Sequence, residues 1–367
     1  MSEMQYFSTL CCSTFAVLIA GCSFDYPSGY SFDYQGEQAA RAVNMDISAG
    51  VTTVNLRNVY GNVIVRASEE EDAAVHWDVT CWADTEEQAA RLTKLVKFVS
   101  SIKRDTTFNC EVVFPESLVK ELRGVKSNIT VSIPASMAIN VNNSHGDIVA
   151  TNLASKADLT NSHGMLTAKG LTQDCILKNS HGDVLAEQLA SATINNTHGN
   201  TVARTVSESI KIESHHGSVA ILDVDGHIYA ATSHDDIEVN GVGGNTSLKC
   251  SHGNIFARHL RGGVVEAETS YGNIDMHTLA TSITCESQHG EVILSAINPD
   301  LKKVKVESSF NDIHVTLANG LKPAVTTSAS FGEVESEFSE NSGGPEVKLH
   351  VKHGDITIRR QPNAEQE

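Results

Sequence analysis

Aromatic residues make up only 5% of this chain of 367 residues, and 27 lysines and arginines stand against 45 aspartates and glutamates, a net charge of −18. The shortage of rings argues against a broad aromatic platform for sugars, although rows of Ser, Thr and Asn can still hydrogen-bond to them. The shortage of positive charge argues against nucleic acid as a partner, and against an anionic membrane apart from any lipid anchor. No apolar run is long enough to span a bilayer. There is no glycine-rich phosphate loop, no dinucleotide fingerprint and no HExxH motif, and no cysteine pair has zinc-type spacing. No cofactor is expected.

What the chain has instead is repetition. The phrase Asn143-Ser144-His145-Gly146-Asp147-Ile148 returns at Asn161-Ser162-His163-Gly164, at Asn179-Ser180-His181-Gly182-Asp183-Val184, at Asn196-Thr197-His198-Gly199, and finally at Lys352-His353-Gly354-Asp355-Ile356. The residue before the corner position, here called the marker, is His145, His163, His181, His198, His216, His234, His252, Tyr271, His289, Phe310, Phe331 and His353. The spacing is mostly 18 residues, drifting to 21 and 22 near the end. A fixed period of this length is the signature of a solenoid.

Alignment on the marker shows what each coil contains. Apolar residues stand six and four before it (Ile139 and Val141, Leu159, Leu177, Ile210 and Ile212) and three and five after it (Ile148 and Ala150, Val184 and Ala186, Ile356 and Ile358). A spacing of two means strand, so each coil holds two short strands. A third apolar residue, eight after the marker, runs from Leu153 to Leu279 and is expected to point inward. The expected fold is all-β: a single-stranded parallel β-solenoid of about 18–22 residues per coil, with a small α+β insertion near its N-terminal end.

The residue after the marker is glycine except for Asp235 and Asn311. These are the residue types that tolerate positive φ, so a left-handed corner is expected in every coil. Two before the marker, Asn58, Asn143, Asn161, Asn179 and Asn196 give way to Ser214, Thr232, Cys250, Thr269, Ser287 and Ser308. Strands about 4.8 Å apart would let these amides bond up the stack as a buried polar ladder. The Asp or Asn that often follows the glycine reads as corner-bonding, and is too sparse for a calcium roll.

Nine of the 16 histidines occupy the marker. Because Tyr60, Tyr271, Phe310 and Phe331 serve there equally well, the row reads first as stacking of flat rings. The alternative is a metal or proton site formed by His145, His163, His181, His198, His216, His234 and His252, since imidazole is both a metal ligand and a physiological acid–base group.

By position the chain divides as follows. Residues 1–22 read as a lipoprotein-type signal ending in Ile19-Ala20-Gly21-Cys22, 23–43 as a tether, 44–66 as a first coil, 67–128 as an α+β capping insertion, 129–360 as the main solenoid and 361–367 as a polar tail. Within the insertion, strands are expected over 74–82 and 107–114 and a helix over 84–100, capped by Asp84 or Thr85. Cys175, Cys250 and Cys285 sit at inward offsets, whereas Cys81 and Cys110 are the candidate disulfide of an exported protein.

The apolar stretch Phe15 to Cys22 resembles a bacterial lipobox with Cys22 as the lipidated residue, and Ser23 beside it resembles the pattern sorted to the outer membrane. The repeat itself, behind the lead-in Val131-Ser132-Ile133-Pro134, resembles the bacterial putative-adhesin β-solenoid family, related to the head domains of proposed autotransporter adhesins. The resemblance spans roughly residues 44–360 and implies a right-handed solenoid on the cell envelope without established enzymatic activity.

No catalytic set emerges. Ser144, His145 and Asp147 recur in coil after coil, and adjacent residues cannot adopt the geometry of nucleophile, base and orienter. The expectation is a non-enzymatic, lipid-anchored envelope rod for adhesion, with a protein or glycan partner and with the membrane reached through the anchor. A histidine-ladder metal-binding or pH-responsive protein and a self-assembling scaffold are the alternatives. Arg359 and Arg360 near the C-terminal end speak against self-assembly, because charge at a sheet edge opposes pairing.

Overall fold

The computed structural model describes residues 34–69, 72–115, 121–338 and 343–362. The leader, the lipobox cysteine Cys22, the first part of the tether and the end of the tail lie outside the described residues. Two sheets, A of 16 strands and B of 15, enclose one continuous apolar core. From β8 (Ala138–His145) to β27 (Ile313–Leu317), even-numbered strands join sheet B and odd-numbered strands join sheet A. Each coil is therefore two strands long. Neighbouring coils pair in parallel and in register, Leu159 beside Leu177 and His163 beside His181.

The inward pairs form the core: Ile139, Leu159, Leu177, Ile194, Ile148, Val184 and Ile237 are all essentially inaccessible. Leu279 departs from the expected inward row, being 39% exposed, while Thr278 and Ala280 on either side of it are buried. The strand register shifts just before this point, between Ala257 and Leu260, and moves the inward face by one residue.

At most corners the glycine has positive φ (114° at Gly146, 121° at Gly182), and Asp235 and Asn311 take 80° and 91°. Gly290 and Gly332 do not, which corrects the expectation of a left-handed corner in every coil. Crowding is the more general cause: a Cβ on Gly182 would lie 2.3 Å from the carbonyl oxygen of Gly164, and one on Gly290 would lie 1.8 Å from that of Gly272. A second left-handed corner, seven residues after the marker, falls on Asn152, Gly170, Gln188, Thr205, Asp223, Gly241 and His259. Its varied residue types hide it in the sequence.

The N-terminal end departs further from expectation. Residues 37–43, read as tether, belong to strand β1 (Glu37–Ile47), which pairs antiparallel with β4 (Ala73–Ala83). Alternating Ala39, Val43 and Met45 pack against the core, too small and few to announce a strand. Strands β2 (Thr53–Tyr60) and β3 (Val63–Ala67) form the first coil. Helix α1 is Glu86–Leu95, capped by Thr85, whose hydroxyl accepts from the Gln88 N–H. The rest of the expected helix is strand β5 (Lys97–Lys103), because the chain turns extended at Val96 and runs into β-favouring Phe98, Val99 and Ile102.

The insertion is more than a cap. Strand β6 (Thr107–Val113) lies parallel to β2, and β7 (Gly124–Ile133) lies parallel to β3, so the two add a coil below the first. Antiparallel β4, β1 and β5 then end the stack, with α1 packed on β1 and β4. The buried ring of Trp77 in β4 stacks on Phe98 in β5, joining the two sheets, and its indole N–H donates to Ser127.

The C-terminal end is interleaved. Strands β26 (Lys303–Phe310) and β27 are followed in sequence by β28 (Ala324–Phe331) and β29 (Val334–Ser336), and then by β30 (Glu346–His353) and β31 (Ile356–Arg360). In space β30 lies between β26 and β28, and β31 between β27 and β29. The inward residues explain the order. Val347, Leu349, Val351, Ile356 and Ile358 need cover on both sides and are buried, while Thr327, Ala329 and Ser336 tolerate the open end. A polar terminal coil is what a solenoid needs there. Arg359 and Arg360 consequently lie one layer inside the edge, which removes the charge argument against end-to-end pairing.

Candidate functional site

Three ladders run along the stack, and the most prominent is the marker row. From Tyr60 through His145 to His289, Phe310, His353 and Phe331, thirteen rings lie face to face with centroids 4.4–5.3 Å apart. All seven histidines singled out as metal candidates are in it. The rings from His145 to His198 are within 4° of parallel. The Nδ1 atoms of His163, His198 and His234 each lie 3.3 Å from a carbonyl oxygen of the preceding coil, which a ring N–H must donate to. Parallel stacked rings hold their planes side by side, whereas a chelate needs donor atoms that converge on one point. Among the described residues, no group of three or more His, Cys, Asp or Glu side chains is arranged to hold a metal. Burial, and then the neighbouring His163, push His145 below the usual histidine range.

The second ladder is the buried asparagine row. Asn58 donates to Asn143 (3.1 Å) and Asn143 to Asn161 (3.3 Å), but the more regular contact is to corner carbonyls: Asn179 Nδ2 lies 2.8 Å from Gly182 O and 3.1 Å from Gly164 O. Each amide thus ties its own corner to the one below. The sequence located this row and expected bonds mainly between the amides.

In the third ladder, the Asp or Asn after the corner glycine accepts from a backbone N–H one coil along. Asp147 Oδ1 takes Met165 N–H (2.8 Å), Asp183 takes Asn200 (2.8 Å), Asn254 takes Asn273 (2.9 Å), and Asn273 takes Glu291 (2.9 Å). Only an acceptor oxygen is required, so Asp and Asn interchange. Sequence reasoning placed these bonds within the corner, whereas they staple neighbouring coils.

Cys81 and Cys110, the candidate disulfide, are both free and buried, one in each sheet. The Cys81 thiol is engaged with Thr93, and Cys110 Sγ donates to Asn55 O at 3.6 Å. Burial pushes Cys110, Cys175 and Cys285 up to about 12.

The outer face of sheet B carries two grooves. One, of about 420 Å³, is lined by Glu213, Ala231, Lys249 and Glu268. The larger, of about 730 Å³, crosses six coils from Asn140 to Tyr229. In the larger groove the Ser191 hydroxyl donates to the Asp174 carboxylate.

The fold and its ladders define a parallel β-solenoid held by stacked rings and stapled corners. The chain belongs to the Toastrack DUF4097 family, which it matches over residues 58–359. No curated protein matches it. Among solved structures, it is similar to a putative adhesin from Parabacteroides distasonis (11% identity, covering 89% of this chain and 98% of that one, TM-score 0.27). It is also similar to a putative lipid binding protein from the same organism (12%, 89% and 98%, TM-score 0.30) and to a putative cell adhesion protein from Clostridium sporogenes (9%, 88% and 100%, TM-score 0.20). TM-scores this low mark distant likenesses, and no property of those proteins transfers to this chain through them.

Proposed function

We propose that the chain is a non-enzymatic, lipid-anchored protein of the bacterial cell envelope, sorted to the outer membrane through Cys22, whose solenoid serves as a rigid rod for adhesion or envelope interaction. The observation that carries this reading is the pairing of an unbroken ladder of thirteen stacked rings, backed by the asparagine and corner-acceptor rows, with a long outer face of mixed polar side chains. A rod of this kind holds a surface at a distance and leaves it free to bind. The absence of phosphate-binding, dinucleotide and metalloprotease motifs in the sequence agrees with it. Metabolic labelling with a palmitate analogue, followed by membrane fractionation, tests the anchor: the wild type is labelled and sediments with outer membrane, and Cys22→Ala is not labelled. Labelling that persists in Cys22→Ala, or wild-type protein found wholly in soluble fractions, contradicts it.

A second reading is favoured by the nine imidazoles in one stack: the rod responds to acid, because burial and then the stacked His163 hold His145 below the usual histidine range. The two readings are compatible.

A further inference from the structure

We propose that the larger groove on sheet B is a binding site for a linear, neutral, hydroxyl-rich glycan lying along the solenoid axis, an inference that rests on the adhesion reading and names its ligand. The groove crosses β8, β10 (Ala157–His163), β12 (Cys175–His181), β14 (Ala192–His198), β16 (Ile210–His216) and β18 (Ile228–His234). At the usual spacing of about 4.8 Å per strand this is a track about 24 Å long.

Three features select the ligand class. First, every strand under the groove is paired on both sides, so no edge is open for an extended peptide to join. The ligand must be held by side chains. Second, every coil under the groove contributes at least one polar side chain, from the amide of Asn140 through Asp158, Asp174, Thr193 and Ser209 to His227. Asp158, Thr193 and Ser209 make no side-chain hydrogen bond or ion pair among the described residues, which leaves them available to a ligand. A chain of pyranose rings offers donors and acceptors at a comparable repeat. Third, Ile176 is 39% exposed, and the Tyr229 ring, with the Lys211 ammonium 5.6 Å from its centroid, closes one end. A half-buried ring of this kind suits the apolar face of a sugar. Lys156 and Lys211 balance Asp158 and Asp174, and the chain carries −18 overall, so a polyanion gains nothing here.

The test is calorimetric titration of the full chain with cellohexaose, mannohexaose, chitohexaose and maltohexaose, with a linear sulfated glycan as the anionic comparison. At least one neutral hexaose is expected to bind more tightly than about 1 mM. Tyr229→Ala, and independently Thr193→Arg, which fills the groove without touching the core, are expected to weaken it at least about tenfold. His289→Phe, remote in the stack, should not. No binding of any neutral hexaose, binding of the sulfated glycan alone, or binding that both groove variants retain overturns the proposal. Cell adhesion measured in parallel separates the two levels. Adhesion unchanged in Tyr229→Ala and Thr193→Arg sinks the groove and keeps the adhesion reading, whereas a wild-type rod that does not adhere sinks the reading itself.

Discussion

His353 stacks on Phe310 at 5.0 Å, although the coil that follows Phe310 in sequence carries Phe331, which lies on the other face of His353 at 4.9 Å. The third ladder takes the same path: Asp312 accepts from the Asp355 N–H, and Asp355 from the Glu333 N–H. Two independent sets of contacts thus place the last coil of the chain beneath the coil that precedes it. The terminal coil can dock only after the C-terminal residues have formed the layer under it.

Cross-linking tests that order. Glu307 pairs with His350, and His350 with Ser328, so Glu307 and Ser328 are two layers apart. The double variant Glu307→Cys with His350→Cys is expected to oxidise to a disulfide, since adjacent strands hold Cα atoms within bonding range. Glu307→Cys with Ser328→Cys is expected to stay reduced. The reverse pattern, read by mass spectrometry, would mean sequential stacking.

The asparagine row predicts an asymmetric cost. Asn161 Nδ2 donates to Gly146 O at 3.0 Å, and its Oδ1 accepts from Asn143, all at 1% exposure. Asn161→Ala removes both buried hydrogen bonds, while Gly146 O and Asn143 Nδ2 keep each other as partners at 3.1 Å; at about 0.5–1.5 kcal/mol per bond it is expected to cost about 1–3 kcal/mol in urea unfolding. At Ser214, where the row has already changed to a hydroxyl, Ser214→Ala should cost less, because that Oγ has no partner to lose.

Thiol chemistry separates the free cysteines from a disulfide. Cys110, Cys175 and Cys285, buried and pushed up to about 12, carry almost no thiolate near neutrality. Iodoacetamide should leave them unmodified in the native protein and alkylate them fully in denaturant. Treatment with a reductant should leave Tm unchanged, and a drop in Tm would reinstate the Cys81–Cys110 bond.

The marker position should discriminate by shape. His181 stacks at 4.7 Å on both His163 and His198. His181→Phe keeps two flat contacts and is expected to be near neutral, whereas His181→Ala removes both, at about 1–3 kcal/mol for two ring pairs. Thermal unfolding of the two variants side by side reads the difference.

The parts of this fold that repeat were legible, and the parts that occur once were not. Ile194, Leu177 and Val219 announce themselves because each stands at the offset of its equivalents, and the corner glycines because the close approach of the coil below leaves a Cβ almost no room, Asp235 and Asn311 being the two exceptions. The left-handed corner at Asn152 and Gln188 was hidden because several residue types adopt it there. Strand β1 was hidden because its inward residues are as small as Ala39, and β5 because Leu92 and Val96 continue a helical spacing across the point where the chain turns extended. The interleaved end follows from comparing the apolar content of two coils, Leu349 and Ile358 against Thr327 and Ser336, a contrast present in the sequence but overruled there by chain order. The groove depends on side-chain size across coils, which a linear reading does not display.

The histidine row holds the rod by ring stacking, and urea unfolding at about pH 7.5 and about pH 5.5 tests this most directly. His145 lies below the usual range, so on acidification the unfolded imidazole binds its proton first. Stability is then fully present above the unfolded value, is lost as pH falls below it, and levels off beneath the folded value. Part of the depression at His145 comes from His163, whose ring lies 4.7 Å from that of His145, so replacing His163 relieves it. The wild-type midpoint is expected to fall between the two conditions. A triple variant, His163→Phe, His181→Phe and His198→Phe, should match the wild type at the higher pH and fall less at the lower. A triple variant much less stable than the wild type at the higher pH, or a wild-type midpoint that moves no more than the variant's on acidification, would contradict the account.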